Sequence, residues 1–236
     1  MILWFCDGMI FGGKFPLFRD LGSYFYPIRF AVAESLKAGE LPLWDLHMAG
    51  GFPVMAGLQS AVFYPPTLLF AVLPFFAAIQ FSFVFHYGVA GLGSYALFRW
   101  CKCPIYVALI GSILFSFGGT VVSLSNLLNH FQSAVWLPLV ILYWERTLKL
   151  NFWRDFVCLS FVLLFQLLGG SPEIFLFSLG ILFIDAIRLF GEREIVSIVK
   201  PAAVLIAAIA VVTGLGMVQL LPTGELISLS RRDQPI

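Results

Sequence analysis

Residues 76–98 read FAAIQFSFVFHYGVAGLGSYALF, an apolar run that carries no acidic, lysine or arginine side chain. A transmembrane helix needs roughly 17–25 mostly apolar residues, so this run is long enough to cross a bilayer. The whole chain of 236 residues has the same character, because 60% of it is hydrophobic and 11% is charged. Soluble domains carry about 25% charged residues, so a water-exposed globular surface is excluded. We predict an all-α integral membrane protein.

Five further apolar runs follow the first, at 104–124, 127–144, 156–170, 172–190 and 201–221. They predict a polytopic helical bundle of about six spans within residues 67–222. The apolar residues 1–6 are too short to span, and we interpret them as the end of a truncated first transmembrane helix. Residues 223–236 are expected to form an extracytoplasmic tail that continues in a longer parent protein.

Residues 7–66 have a different composition, with acidic residues, glycines, prolines and many aromatic rings. Within them, residues 28–37 (IRFAVAESLK) show a helical apolar period with a polar face, and Gly39 is placed to end that helix. Aromatic rings are typical of the membrane interface. The segment is therefore predicted to be a long first extracytoplasmic loop containing short amphipathic helices.

Basic residues predict the orientation of the bundle. The loops after the first, third and fifth runs contain lysines or arginines, whereas the short loops 125–132 and 169–173 contain none. The positive-inside rule places the basic loops in the cytoplasm, and the first loop and the C-terminal tail outside. The protein is thus expected in the cytoplasmic membrane. A formal charge of +1 gives no support for a nucleic-acid partner.

Several polar side chains are predicted on the outer side, where they could form one site. Asp20 follows Arg19 in an otherwise apolar stretch, and a carboxylate there suits a general base or a metal ligand. An Arg–Asp surface pair or a helix cap would explain it equally well. His47 and His130 have no second ligand at metal spacing. Glu173 follows a Ser-Pro pair, where capping of a helix start would account for it.

Several stretches, taken in order, resemble the bacterial YfhO family of polytopic membrane proteins. The loop contributes RDLGSYFYP (19–27) and the stretch 28–70 that follows it, in which the parts KAGELPLW (37–44), AGGFP (49–53) and QSAVFYP (59–65) match closely. The later stretches are HYGVAGLG (86–93), SLSNLLNHFQSAVWLP (123–138), LGGSPE (168–173) and QLLPTGELISLSRR (219–232). The resemblance covers essentially the whole chain, and its loop segment is the specific part.

The resemblance implies a GT-C-like fold and the activity of a GT-C-type glycosyltransferase. Such an enzyme moves a sugar from a polyprenyl-phosphate donor to a cell-envelope acceptor at the outer membrane face, in contact with membrane lipid. Asp20 matches the expected catalytic acidic residue, acting as a base or holding a divalent metal ion; no cofactor is otherwise implied. The expected substrate-binding residues are Arg19, Tyr24, Arg29, Trp44, His47, His130, Glu173 and Arg231. The arginines would contact the lipid phosphate, and the aromatic rings would stack on the sugar.

Two other classes of function stay open at this point. A transporter or lipid flippase would need charged residues or broken helices at mid-membrane, for which His86 and a few Pro or Gly interruptions are the available features. A non-catalytic membrane assembly protein would need none of these. Two observations would distinguish the three classes of function. An upstream helix and further downstream spans in the full reading frame would favour the enzyme, as would binding of a polyprenyl-phosphate sugar to the full-length protein.

Overall fold

The computed structural model describes Gly8 and residues 18–48, 50–150, 152–192 and 196–230. Over these residues the chain is helical and contains no β-strand beyond an isolated bridge between Asp45 and Phe52. The predicted all-α class is therefore confirmed. The predicted helix stub at 1–6 and most of 7–17 lie outside the described residues.

The first loop contains a π-helical turn, Leu21–Phe25, helix α1, Tyr26–Lys37, and two 3-10 segments, Leu58–Ser60 and Pro65–Ala71. Helix α1 begins two residues before the predicted start, and Gly39 has a φ of +75° just after its end. The bundle follows with α2 Phe75–Trp100, α3 Ile105–Phe117, α4 Gly119–Leu124, α5 Leu128–Ala134, α6 Leu137–Lys149, α7 Phe152–Leu168, α8 Pro172–Glu192 and α9 Val196–Ser228.

Three helical segments among the described residues are long and apolar enough to cross a membrane: Phe75–Trp100, Ile105–Leu124 and Val199–Ser228. The second comprises α3 and α4, which are separated by Gly118 in an extended conformation. Many large apolar side chains of these segments face outward, as expected where lipid is the solvent. The chain therefore has the helices of a helical membrane protein, whereas the count of six spans stays a prediction.

The predicted run 127–144 is divided between α5 and α6 by a turn at Val135 and Trp136. Pro138 is the second residue of α6, in the first turn of the helix, where the N–H that a proline lacks would have no partner within the helix. Helix α9, by contrast, continues through Pro222 to Ser228. The region predicted as a tail from residue 223 therefore begins as helix.

At one end of the bundle, side chains join segments that the sequence places on the cytoplasmic side. Arg146 Nε lies 2.9 Å from Asp155 Oδ1, and its guanidinium lies 5.8 Å from the Trp100 ring. The ammonium group of Lys200 donates to the carbonyl oxygen of Leu148 at 2.6 Å. These contacts connect the ends of α2, α6 and α7 with the first part of α9.

At the opposite end, contacts join segments that the sequence places outside. Asn129 Nδ2 donates to the Gly170 carbonyl oxygen at 3.0 Å, which ties α5 to the corner between α7 and α8. Gln219 Nε2 of α9 donates to the Met55 carbonyl oxygen of the first loop at 2.9 Å. Segments that the sequence places on the same side are thus in contact with each other. Which compartment each end faces stays a prediction.

Gly170→Ala should destabilise the packed corner. Gly170 has a φ of +96°, and an added Cβ would lie 2.8 Å from the Leu58 carbonyl oxygen. A non-glycine residue held in strained backbone costs about 1–3 kcal/mol, so a lower unfolding temperature in detergent is expected. Gly180→Ala is the matched control, because its Cβ would meet open space within α8. Equal destabilisation of the two variants would contradict this reading.

Candidate functional site

Arg29 of α1 anchors the first loop to the bundle. Its side chain is fully buried, at 0% exposure. Nη2 donates to Gln132 Oε1 of α5 at 2.8 Å, and Nη1 donates to Thr67 Oγ1 at 3.2 Å and to the Ser60 carbonyl oxygen. The guanidinium therefore joins α1, both 3-10 segments and α5 at one point.

The buried charge of Arg29 is held by neutral acceptors. Within the described part of the chain, no carboxylate forms an ion pair with it. Burial lowers the pKa of the guanidinium to about 10, so it keeps its proton at neutral pH. The expected phosphate contact of Arg29 stays a prediction, but in this conformation its Nη groups are occupied by protein oxygen atoms. Its Nε is buried and has no hydrogen-bond partner among the described residues.

A hydrogen-bonded chain continues from Gln132 into α2. Gln132 Nε2 donates to Ser82 Oγ at 3.2 Å, and His86 Nδ1 lies 2.5 Å from the Ser82 carbonyl oxygen. Because a carbonyl can only accept, Nδ1 carries the proton and His86 Nε2 accepts from the Tyr64 hydroxyl at 2.7 Å. Trp136 Nε1 donates to the same hydroxyl at 2.9 Å. Both ring nitrogens of His86, which lies within the first span, thus have hydrogen-bond partners in the protein.

On the exposed side of α1, the first loop forms a groove of about 680 Å³. One wall comes from α1 and the other from the segment that follows it. The lining residues are Pro27, Phe30, Ala31, Glu34, Ser35, Pro42, Trp44, Asp45, Leu46, His47, Met48 and Val54. The groove combines aromatic and aliphatic surface with two carboxylates and an imidazole. Concave sites of this kind, apolar with a few polar groups, are typical of small-molecule binding.

Asp45 organises the polar part of the groove. Its Oδ1 accepts from the His47 backbone N–H at 2.8 Å and lies 3.0 Å from His47 Nδ1. The backbone of Asp45 pairs with Phe52 in both directions, at 2.9 and 2.8 Å, which closes the intervening turn. Gly51 lies against Trp44, since a Cβ there would come within 2.8 Å of the indole Nε1. The Asp45 carboxylate therefore orients an exposed imidazole whose Nε2 is directed away from it.

Asp20 and Arg19 lie in the first loop, outside the lining of the groove. Asp20 is exposed, precedes the π-helical turn and makes no capping hydrogen bond with its side chain. Arg19 has a φ of +47°, in the left-handed region, and its guanidinium lies 5.4 Å from the centre of the Phe18 ring. A non-glycine residue with this φ and a π-helical turn are both found preferentially at functional sites.

The other predicted site residues lie apart from the groove. Tyr24 is half-buried, and burial raises its pKa. His130 is half-buried with Nδ1 3.0 Å from Asn129 Oδ1. Glu173 is exposed in the first turn of α8 and accepts from Ser171 Oγ at 3.1 Å, while Ser171 Oγ caps the helix by accepting from the Ile174 backbone N–H at 3.4 Å. Arg231 lies outside the described residues.

Of the predicted residues, the structure thus brings Trp44 and His47 together in the groove. Asp45 was not among the predicted site residues, although the Asp-x-His spacing could have indicated the contact between Asp45 and His47. Sequence reasoning also missed the polar side chains that hold Arg29. Among the described residues, no three His, Cys, Asp or Glu side chains cluster as metal ligands.

Comparison with protein-family models, with curated proteins and with solved structures finds no match to this chain. The fold by itself defines a helical membrane protein whose first loop is docked on the bundle. The YfhO resemblance stays a prediction.

Arg29→Met should release the first loop from the bundle. Methionine fills much of the same space but leaves the acceptors of Ser60, Thr67 and Gln132 without their donor. Each buried group left unsatisfied costs about 1–3 kcal/mol. We expect a lower unfolding temperature in detergent and faster tryptic cleavage after Lys37. Arg19→Met, at an exposed position, should change neither, and an unchanged Arg29→Met variant would show that the contact is dispensable.

Proposed function

We propose that the chain forms the membrane part of a YfhO-like, GT-C-type glycosyltransferase. It would move a sugar from a polyprenyl-phosphate donor to a cell-envelope acceptor at the outer face of the cytoplasmic membrane. The observation that carries the proposal is the docked first loop. Arg29 fixes this loop to one end of an apolar bundle, and the loop offers a groove with an aromatic wall and an Asp–His pair. That combination suits a substrate with a lipid anchor and a polar sugar.

The chemistry needs a base and a group that stabilises the leaving phosphate. Asp20 would accept the proton of the acceptor hydroxyl while the hydroxyl oxygen attacks the anomeric carbon of the donor sugar. The bond from that carbon to the donor phosphate breaks, and the phosphate leaves with the electron pair. Arg19 is exposed next to Asp20, so its guanidinium is available to the phosphate oxygens. Asp20 is exposed, so a bound acceptor can reach its carboxylate.

Binding of the sugar is assigned to the groove. The Trp44 ring is more than half exposed, so one of its faces is available to the apolar face of a pyranose. His47 and Glu34 supply hydrogen-bonding groups beside it. The transporter alternative receives less support, because both ring nitrogens of His86 are engaged by protein groups.

Asp20→Asn in the full-length protein should abolish most sugar transfer from a polyprenyl-phosphate donor. The amide cannot accept the hydroxyl proton, and general-base catalysis contributes about 10²–10⁴-fold in rate. Glu40→Gln is the matched control, because Glu40 is an exposed carboxylate of the same loop outside the groove lining. The measurement is product formation with purified protein in detergent. If the Asp20→Asn variant were as active as the unmutated protein, Asp20 would have no part in the mechanism.

Trp44→Ala should weaken saccharide binding with little effect on turnover. Aromatic contacts of this kind are worth about 0.5–1.5 kcal/mol, so KM should rise roughly 2–10-fold while kcat is retained. Trp44→Phe keeps an aromatic face and should restore most of the KM. A fall in kcat at constant KM would instead place Trp44 near the reacting atoms.

A further inference from the structure

The segment after α1 exposes an apolar strip formed by Leu41, Leu43, Trp44 and Leu46. Their exposed fractions are 59%, 56%, 59% and 75%. Each of these side chains exposes more than half of its surface within six residues of non-helical chain. A contiguous exposed apolar patch of this kind marks an interaction surface.

The position of the apolar strip indicates what covers it. Phe30 of α1 lines the same groove as Trp44 and Leu46. Its ring lies 5.5 Å from the ring of Phe75, the first residue of α2. Val72, three residues before that point, is 80% exposed. The strip is thus continuous with the start of a helix that has the length and composition of a membrane span.

We propose that the apolar strip lies in the membrane–water interface, with phospholipid as its partner. Removing leucine side chains from water lowers the free energy of the system. The indole of Trp44 combines an apolar ring with a polar N–H, which favours the membrane–water interface. The charged pair Lys37–Glu34 at the end of α1 (3.6 Å) would lie on the water side. This placement would open the groove beside the lipid headgroups. Trp44 is shared with the proposed sugar site, but the placement at the interface is tested without any measurement of sugar transfer.

Spin labelling tests the position of the strip in vesicles of phosphatidylethanolamine and phosphatidylglycerol. The four native cysteines are replaced by serine, and a nitroxide is attached at Leu43→Cys, Leu46→Cys or, as control, Lys37→Cys. We expect collisions with oxygen to exceed those with a water-soluble nickel chelate at 43 and 46, and the reverse at 37. Chelate-dominated collisions at 43 and 46 would show a water-exposed strip. Low collision rates with both reagents would show a protein cover. Either result overturns the proposal.

A second measurement avoids labelling altogether. The tryptophan fluorescence of Trp44→Phe is subtracted from that of the unmutated protein in vesicles with brominated lipids. The Trp44 component should be quenched more by lipids brominated near the glycerol backbone than by lipids brominated near the chain ends. A component that neither lipid quenches would overturn the proposal. Because neither measurement uses sugar transfer, failure of the proposed enzymatic function would leave both results unchanged.

Discussion

The arrangement of this protein depends on one buried guanidinium. Removing a charge from water is costly, and the cost is offset only when hydrogen-bond acceptors surround it. The acceptors of Arg29 come from Ser60, Thr67 and Gln132, which belong to three different segments. The charge is therefore satisfied only if the first loop, the start of the bundle and α5 meet in one geometry. Arg29 thereby contributes a central contact by which the first loop is attached to the apolar bundle.

The parts of the loop that carry the candidate chemistry inherit their position from that attachment. Tyr64 continues the buried chain to His86 and Trp136, and Gln219 of α9 holds the loop at Met55. The groove lies on the other side of α1, so its walls are fixed through the helix that Arg29 anchors. Trp44 and Leu46 of the apolar strip line this groove together with Phe30 of α1, whose ring lies 5.5 Å from that of Phe75 at the start of α2. One set of buried polar contacts thus positions both the polar and the apolar surfaces of the loop.

Composition and periodicity were sufficient to predict the helical class, α1 and the short loop at 169–173. These features depend on local signals: apolar runs, a helical period and glycine. The role of Arg29 could not be predicted, because an arginine in an outer loop is ordinarily solvated. Its acceptors lie from 31 to 103 residues away along the chain. The break between α5 and α6 lies within the run 127–144, which was predicted as one span, since apolar length alone does not distinguish one helix from two.

The stretches that carry the YfhO resemblance supply the contacts that dock the loop. Residues 28–70 contain Arg29 and Thr67, SLSNLLNHFQSAVWLP contains Gln132, and QLLPTGELISLSRR contains Gln219. These side chains are buried and bonded to protein, so they specify architecture rather than reaction. These contacts account for the docked loop, whereas glycosyl transfer stays a proposal. The reaction depends on exposed groups, of which Asp20 and Trp44 are the two whose chemistry can be separated by substitution without disturbing the anchor.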